Sequence, residues 1–504
     1  MTARAAVLVA ALLAGLSPAD AFDIRYGSKG VPPSFGNPFM ANGSPSSYTW
    51  AAMFDGLTQL DPDGGLQPAL ALGWENIEPT LWRFRLRPDV TFSNGEPFTA
   101  DAVVKTIAWL KTPDGARSVI GTEIRDVVTA EKVDDLTVII RTEKPDAVLP
   151  RRMSAVSMVA PQAWAELGPD KFAQTPATTG SFKVVDWGAG AGRIRFDAFK
   201  QSWRAPKAER LTIINLPDNP ARVQALLSRQ IDIAGNLGVD DVATIEAAGG
   251  VVVRGPAMSV QSLAFRVDPA RPSPANDVRV RRALNYAVDK QAIVAGLLAG
   301  LTVPSGQPAS RETAGYNPDV TPYPFDPDKA RALLAEAGYG PDRPLKLRFQ
   351  VMIDRTPADA AIYQTTAEML AKVGVDLELQ TVTFPTWLNL YLTGTWPAET
   401  DGFVLGWNAA PYNDIARPME IYSCLRPNPH FCDRVITDQL ETANQELDPV
   451  KREALLRDLA RAYHDAAPAI FLIEVFDLFG AGAHVTGLSL ANRVPEYHKV
   501  EIAR

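Results

Sequence analysis

The chain has 504 residues and a formal net charge of −8, with 46% hydrophobic and 21% charged residues. A single hydrophobic core stops growing near ~250–300 residues, so this length excludes a one-core domain and predicts at least two lobes. The apolar content excludes a disordered chain, and an acidic balance without a basic cluster excludes a nucleic-acid-binding surface.

The first 21 residues have the pattern of a secretory signal peptide. Arg4 precedes an apolar stretch over residues 5–16, and small residues at Ala19 and Ala21 predict cleavage after Ala21. A buried core helix is the alternative, because the stretch is too short for a membrane span of ~20 apolar residues. Since Phe22 and not a cysteine follows the cleavage site, we expect an exported, soluble chain that is not a lipoprotein.

Strand and helix signals alternate along the rest of the chain. Short strands and turn clusters over residues 54–98 predict a small β-rich subdomain. A strand–helix–strand pattern then occurs over 211–233 and again over 345–379, which indicates an α/β fold.

Helix starts are well marked in the second half of the chain. Asp326 and Asp448 each stand before a proline, the pairing of an N-cap with proline at the first helical position. A further helix is predicted from Asp277, and we interpret its arginines as a solvated face: Arg279, Arg281 and Arg282.

The two cysteines, Cys424 and Cys432, are eight positions apart. In an exported protein this spacing predicts a disulfide that closes a small loop. A metal site formed by both cysteines and His430 is the alternative, but no convincing fourth ligand lies nearby in the sequence.

Motifs of the common catalytic sites are missing from the sequence. The chain has no Gly-x-Ser-x-Gly elbow, no phosphate-binding Gly-Lys-Ser/Thr loop and no His-Glu-x-x-His motif. The glycine-rich segment 188–192 precedes a strand pattern, and Leu72 stands where a calcium loop from Asp61 needs an acid, so hairpin turns are predicted at both places. We therefore expect no catalytic residue, no cofactor and no metal, and not an enzyme; an exported hydrolase is a remote alternative.

Short motifs spread over nearly the whole chain carry a more specific signature. They are Phe54-Asp-Gly-Leu57, Trp82-Arg-Phe-Arg-Leu-Arg87, the segment 90–103, Thr179-Gly-Ser-Phe-Lys183, Ile231-Asp-Ile233, the segment 278–289 and the segment 326–339. In combination they closely resemble family 5 of the extracytoplasmic solute-binding proteins, which serve ABC importers for oligopeptides, dipeptides and nickel.

The resemblance implies an α/β fold of the two-lobe periplasmic binding protein kind (type II-like, cluster C), with an extra β-rich subdomain in lobe I. Lobe I is expected over 22–262, with the subdomain at about 58–180, lobe II over 263–476, and a return to lobe I over 477–504. A solute that contacts both lobes favours hinge closure, and an inner-membrane ABC permease is the expected partner. We expect a monomer that binds no nucleic acid.

The resemblance also implies candidate ligand-binding residues in lobe I and in lobe II. The loop 42–48 faces the cleft in similar proteins, and a helix N-terminus suits an anion or a carbonyl; an ordinary N-cap loop is the alternative. Arg355 matches an arginine that holds a ligand carboxylate in dipeptide binders, and Arg117 stands where nickel-chelate binders place one; surface arginines are the alternative. The candidates in the loop are Ser46, Ser47 and Tyr48.

The segment 406–414 resembles the cleft segment of lobe II. Peptide binders have an Asp three positions after the tryptophan, which pairs with the α-ammonium of the ligand, whereas this chain has Ala410. Either Asp414 replaces that acid or the ligand has no free α-ammonium, because a buried, unpaired ammonium costs several kcal/mol. The candidates here are Trp407, Asn408, Tyr412, Asn413 and Asp414.

The leading hypothesis is therefore a binding protein for a peptide or peptide-like solute. A metal chelate of the nickel type or an opine-like solute is the runner-up within this class. Outside it, an exported hydrolase and a chaperone or adhesin are remote alternatives.

Overall fold

The structure is a computed structural model, and it describes residues 22–41, 43–188, 192–268, 270–353 and 355–503. The predicted signal peptide at 1–21, Asn42 of the predicted ligand loop and the tip 189–191 of the glycine-rich turn lie outside the described residues. None of the helices that the structure describes is long and apolar enough to cross a membrane.

Strands and helices alternate along the described chain, with two short 3-10 turns at Pro274–Asn276 and Tyr497–Lys499. The strands are β1 (Asp23–Ser28), β2 (Thr58–Leu60), β3 (Leu66–Pro68), β4 (Ala71–Glu78), β5 (Leu81–Leu86), β6 (Val127–Asp134), β7 (Thr137–Thr142), β8 (Phe182–Asp186), β9 (Arg193–Ala198), β10 (Arg210–Asn215), β11 (Ile233–Ala234), β12 (Val251–Arg254), β13 (Ser259–Phe265), β14 (Leu345–Val351), β15 (Val375–Thr381), β16 (Gly402–Asn408), β17 (Ala469–Val475), β18 (Leu478–Ala481), β19 (Val485–Thr486), β20 (Leu490–Ala491), β21 (Val494–Pro495) and β22 (Glu501–Ile502). The helices are α1 (Ser46–Met53), α2 (Ala100–Leu110), α3 (Pro113–Arg117), α4 (Val119–Glu123), α5 (Leu149–Arg152), α6 (Pro161–Gln174), α7 (Asn219–Leu227), α8 (Asp241–Ala247), α9 (Val278–Tyr286), α10 (Lys290–Leu297), α11 (Pro327–Glu336), α12 (Asp359–Ala371), α13 (Phe384–Thr393), α14 (Ala416–Tyr422), α15 (Arg434–Gln445) and α16 (Pro449–Ala466).

Strand β1 lies inside a seven-stranded sheet whose order is β12-β18-β11-β1-β10-β9-β8. It runs parallel to β10 and β11, and its residues Ile24 and Tyr26 are fully buried. Because parallel strands end at the same edge of a sheet, the segments that follow β1, β10 and β11 lie together at one edge. The hairpin predicted at the glycine-rich turn is confirmed, since β8 and β9 pair antiparallel.

A separate four-stranded antiparallel sheet, in the order β4-β5-β7-β6, forms between residues 71 and 142. Alternate residues Phe84 and Leu86 of β5 are buried, and α2 packs against the sheet through contacts with β6 and β7. The turn at Asp61 is a hairpin between β2 and β3, in which the Asp61 carboxylate accepts a hydrogen bond from the backbone N–H of Gly65 at 2.7 Å. The β-rich subdomain expected from the turn clusters is therefore present.

The third main sheet has five strands in the order β15-β14-β16-β13-β17. Strands β14 and β15 are parallel and joined through α12, as the strand–helix–strand pattern predicts. Strand β13 is antiparallel to both β16 and β17, and all seven of its residues are buried because the sheet is covered on both faces.

The chain passes between the seven-stranded and the five-stranded sheet twice. It leaves the first at Arg254 and enters the second at Ser259, and it returns between Val475 and Leu478. Two α/β lobes joined by two short crossing segments result, with the β-rich sheet next to the first lobe. This confirms the predicted fold class.

The predicted disulfide and helix starts are confirmed, and Arg279 of the predicted arginine face is exposed, but the prediction is wrong for Arg281. Cys424 and Cys432 form a disulfide, and Asp448 caps α16 by accepting hydrogen bonds from the N–H groups of Val450 and Lys451. Arg281, by contrast, is only 5% exposed. A charge that the sequence pattern predicts on the surface therefore lies inside the molecule. The Arg281 guanidinium donates to carbonyl oxygens at the end of α16 and at the turn before α9, those of Ala466, Ala467, Ala275 and Asn276.

Candidate functional site

The edge of the seven-stranded sheet where β1 and β11 end carries several polar side chains. Tyr48 of α1 is 1% exposed and packs edge-on against Tyr26 and Phe479. Its hydroxyl accepts a hydrogen bond from Asn236 Nδ2 at 3.1 Å, and burial raises the pKa of the phenol. Lys29, the residue that follows β1, lies at the same edge and is half-buried.

Lys29 and Arg355 bring positive charge from the two lobes to one place. Burial is the largest cause that lowers the pKa of the Lys29 ammonium, and Arg355, Arg222 and Arg493 lower it further while Asp477 acts in the opposite direction. Arg355 belongs to the segment that follows β14 in the five-stranded sheet. A cation of the second lobe therefore lies within electrostatic range of a cation of the first.

The other cations of this cluster are already satisfied. Arg493 pairs with Asp477 at 2.6 Å, and Arg222 donates to backbone carbonyls that include those of Leu216 and Gly235. Among the residues that the structure describes, the Lys29 ammonium and the Arg355 guanidinium have no side-chain hydrogen bond or ion pair.

The local fold holds Arg355 at the start of a helix. Its backbone N–H donates to Asp359 Oδ2 at 2.8 Å, and its guanidinium lies over the ring of Phe384, 4.5 Å from the centroid. The side chain is exposed, so its fork of donors is open to an incoming carboxylate. The arrangement can bind an anion that reaches both lobes.

The three residues predicted in the loop 42–48 do not share one surface. Tyr48 points into the cluster of aromatic rings beside Asn236, whereas Ser47 lines a separate cavity of about 180 Å³ together with Trp50 and Phe54. Ser46 is buried at the start of α1. Their contact with a ligand stays a prediction.

The two aromatic residues predicted in segment 406–414 are buried, Trp407 within the second lobe and Tyr412 against Arg152 of the first lobe. Trp407 is fully buried, and its indole N–H donates to Ser262 Oγ at 3.0 Å. Tyr412 is also fully buried, and its hydroxyl accepts a hydrogen bond from Arg152 Nη1 at 2.9 Å. Neither ring has exposed surface here, and their role in walling a pocket stays a prediction.

The polar residues of the same segment are occupied by contacts within the protein. Asn408 accepts a hydrogen bond from the N–H of Ala410, and Asn413 donates to the carbonyl of Glu312 at 2.6 Å. The buried carboxylate of Asp414 accepts two hydrogen bonds from Arg452, at 2.9 and 3.1 Å. Burial acts to raise the pKa of Asp414, but Arg452 lowers it, and the net shift is downward. This acid is therefore the charged partner of an arginine.

Arg117 lies at the end of α3 and is 75% exposed. Its guanidinium pairs with Asp114, one turn earlier, at 2.6 Å. Its function as a carboxylate-binding residue stays a prediction.

Sequence reasoning missed Lys29 and the buried ion pairs between the lobes. Lys29 follows a short strand and belongs to no motif, so only the position of that strand beside β10 and β11 gives it a role. Glu420 accepts hydrogen bonds from Arg152 at 2.7 Å and from Arg125 at 3.0 Å, and Arg417 pairs with Glu123 at 2.6 Å. These partners are more than 250 residues apart, which leaves no local signal.

Comparison with known proteins defines the class. A family described as "Bacterial extracellular solute-binding proteins, family 5 Middle" matches residues 65–427. The chain therefore belongs to the family 5 extracellular solute-binding proteins, which confirms the resemblance found in the sequence.

Individual relatives span most of the chain. It is 26% identical over 458 residues to the glutathione-binding protein GsiB of Pectobacterium atrosepticum, covering 86% of this chain and 85% of the relative. It is 26% identical over 488 residues to the dipeptide-binding protein of Escherichia coli, with coverages of 89% and 88%. The fold is similar to that of the ABC transporter substrate-binding protein CtaP of Listeria monocytogenes, with a TM-score of 0.83, 19% identity, and 96% and 100% of the two chains covered.

Proposed function

We propose that this chain captures a carboxylate-bearing, peptide-like solute between its two lobes and delivers it to an inner-membrane ABC permease. The names of two relatives, a glutathione-binding and a dipeptide-binding protein, support a peptide-like solute. The signal-peptide pattern at 1–21 supports export to the periplasm, and Phe22 in place of a cysteine after it supports a chain without a lipid anchor. We also propose that the chain acts as a monomer.

The observation that carries the proposal is a pair of cations without an ion-pair partner in the described part of the chain, Lys29 from one lobe and Arg355 from the other. Like charges that approach each other disfavour closure, and a carboxylate between them replaces this repulsion with two attractions. A solute that contacts both lobes stabilises the closed state by its difference in affinity for the two states. The anion is thus both the recognised group and the cause of closure.

In this proposal the lobes follow the expected division. Lobe I takes residues 22–262, with the β-rich subdomain at about 58–180 and the return over 477–504, and lobe II takes 263–476. The crossing segments beside Arg254 and Val475 are the hinge, because there the chain passes from one sheet to the other. Family membership supports binding without chemical change, so the solute leaves unaltered.

A second candidate is a solute without a free α-ammonium, such as an opine-like compound or a metal chelate. It is favoured by the pairing of Asp414 with Arg452 and by Ala410, since this loop then offers no carboxylate to an ammonium group. An ammonium buried there without a partner costs several kcal/mol.

The proposal is tested by thermal shift and calorimetry of the purified chain with dipeptides, glutathione, an opine and a nickel–histidine chelate. A solute at 100 times its Kd raises the free energy of unfolding by about 2.7 kcal/mol. Arg355→Ala and Lys29→Ala should each weaken binding about ten- to a hundredfold, from about 1.5–3 kcal/mol per charge-assisted hydrogen bond. The exposed residues Arg434 and Lys105 provide the matched controls Arg434→Ala and Lys105→Ala, which should bind normally.

Unaltered affinity in both cleft variants would contradict the anion site. Recovery of a chemically changed solute after incubation would favour the hydrolase alternative. Binding of the opine or the chelate without binding of any peptide would select the second candidate.

A further inference from the structure

A cavity of about 440 Å³ lies in the second lobe, lined in part by the loop that the disulfide closes. Three aromatic side chains line it, Tyr391, Trp396 and Phe403, and the rings of Trp396 and Phe403 stack 4.5 Å apart and 5° from parallel. A cavity of ~150 Å³ lined by apolar side chains accommodates benzene, so this one has room for two fused rings. Its volume is within the ~300–1,000 Å³ range of small-molecule sites.

His430 lines the same cavity and is only 4% exposed. Within the described part of the chain, neither of its two ring nitrogens has a hydrogen-bond partner. Its ring is held edge-on by Phe403, Trp407 and Tyr422, at centroid distances of 5.4–5.8 Å. The Cys424–Cys432 disulfide closes the loop that carries it.

Two unsatisfied nitrogens in one buried side chain need an explanation, because a buried polar group without a partner costs ~1–3 kcal/mol. Burial lowers the pKa of His430 to about 3, so the imidazole is neutral and offers one N–H donor and one acceptor. A neutral ring attracts a polar group through hydrogen bonds and provides no charge for an anion.

The charged residues at the same cavity have opposite signs. Arg266 donates to the carbonyl of Thr400 at 3.0 Å, and the Asp268 carboxylate accepts from the N–H of Ala270 at 2.9 Å. One positive and one negative group leave little net charge at the cavity, which favours an uncharged ligand.

From this geometry we infer that the cavity is a second ligand site, distinct from the cleft, for a neutral aromatic molecule that carries a hydroxyl or ring N–H group. The aromatic ring lies against Trp396, which itself stacks on the buried Phe403, and the polar group hydrogen bonds to His430. The site does not depend on Lys29 or Arg355, so it is independent of the proposed function.

The test uses 2-naphthol, which has two fused rings and one hydroxyl, with calorimetry and soaked crystals of the purified chain. His430→Phe keeps the ring but removes both nitrogens, and it should weaken 2-naphthol binding about tenfold. Trp396→Ala removes a stacking surface and should weaken it about fivefold. His430→Gln keeps a donor and an acceptor, so it should retain most of the affinity for 2-naphthol that His430→Phe loses.

Two controls show where 2-naphthol binds. Arg355→Ala should leave 2-naphthol binding unchanged, and His430→Phe should leave binding of the cleft solute unchanged. Because a variant can fail to fold, nitrogen NMR of the His430 ring in the unmodified chain is a second measurement, and its signals should shift on titration. The inference is overturned if 2-naphthol does not bind up to its solubility limit, or if the His430 and Trp396 variants bind it as tightly as the unmodified chain does. It is also overturned if Arg355→Ala abolishes binding, or if the crystals show only water or an adventitious additive at His430.

Discussion

At the scale of single residues, burial decides what a charge does in this protein. Lys29 and Arg355 have no ion-pair partner among the described residues, whereas the buried carboxylate of Asp414 is paired with Arg452. Glu474 is a third case, a buried carboxylate whose charge is only partly compensated. It is 2% exposed near the end of β17 and accepts a hydrogen bond from the N–H of Arg311.

Glu474 makes stability depend on pH. Burial raises its pKa to about 7, with Arg311 acting against the shift and Glu312 adding to it. Because the folded-state pKa lies above the unfolded one, the folded state holds the proton more tightly, and this stability is full below pH ~4.5 and lost as pH rises through about 7. Glu474→Gln should therefore raise the free energy of unfolding at pH 8 by on the order of 3 kcal/mol, at about 1.4 kcal/mol per pKa unit, and change it little at pH 4.5.

Urea denaturation of both proteins at pH 4.5 and pH 8 measures this difference. The side-chain carbonyl of the introduced glutamine can still accept the Arg311 hydrogen bond, so the comparison isolates the charge. A gain of equal size at the two pH values would show that the carboxylate titrates normally.

At the scale of elements, one arginine joins two helices. Arg281 of α9 donates to the carbonyls of Ala466 and Ala467, which are the unpaired acceptors that any helix leaves at its C-terminus, here that of α16. A positive charge also complements the negative end of the helix dipole. The contact fixes α16 beside the five-stranded sheet, whose strand β17 follows directly.

Replacing this arginine tests the junction. Arg281→Met should lower the free energy of unfolding by about 2–4 kcal/mol, because several buried carbonyls lose their side-chain donor while most of the side-chain volume is kept. Arg282→Met, which removes a hydrogen bond to Asp465 at a more exposed position, should cost less than about 1 kcal/mol. Chemical denaturation of the two variants measures the contrast, and equal losses would mean that Arg281 acts as a surface residue.

At the scale of the whole molecule, buried ion pairs join the lobes. Glu420 receives hydrogen bonds from Arg152, Arg125 and Asn444, and the first pair is about 95% buried on both sides. Burial acts to raise the pKa of Glu420, but Arg152 and Arg125 lower it, and the net shift is downward. The Arg152–Glu420 pair is therefore charged. Such a pair holds the lobes together only in one relative position, because each ion is costly to bury alone.

Glu420→Ala should therefore open the molecule as well as weaken it. It removes one of the two buried carboxylates paired with Arg152, whose Nε stays 3.2 Å from Asp146. The expected cost is about 3 kcal/mol, the low end for breaking a buried ion pair, and the radius of gyration should increase in solution scattering without solute. Glu441→Ala is the matched control: its pair with Lys144 joins the same two regions but is 35–41% exposed, so its loss should cost less than about 1 kcal/mol. If both variants scatter like the unmodified chain, the buried pair does not hold the lobes.

The sequence by itself determined those features of the fold that depend on neighbouring residues along the chain. N-caps such as Asp326 and Asp448, the alternating residues of β14 and the short cysteine spacing depend on neighbours within a few positions, and each prediction is confirmed. The family motifs then implied the two-lobe fold and selected Arg355, whose role at the cleft stays a prediction.

Only the tertiary structure decided which charges are paired and which are free. Arg281 has the pattern of a surface arginine but is buried. Asp414 is a potential ligand acid in sequence but is paired with Arg452. Lys29 belongs to no motif, yet its half-buried ammonium lies within electrostatic range of Arg355. The physical reason is that the free energy of a charge depends on burial and on partners brought together from distant parts of the chain, as with Arg152 and Glu420, 268 positions apart. Periodicity and spacing report on neighbours along the chain and contain no information about such partners.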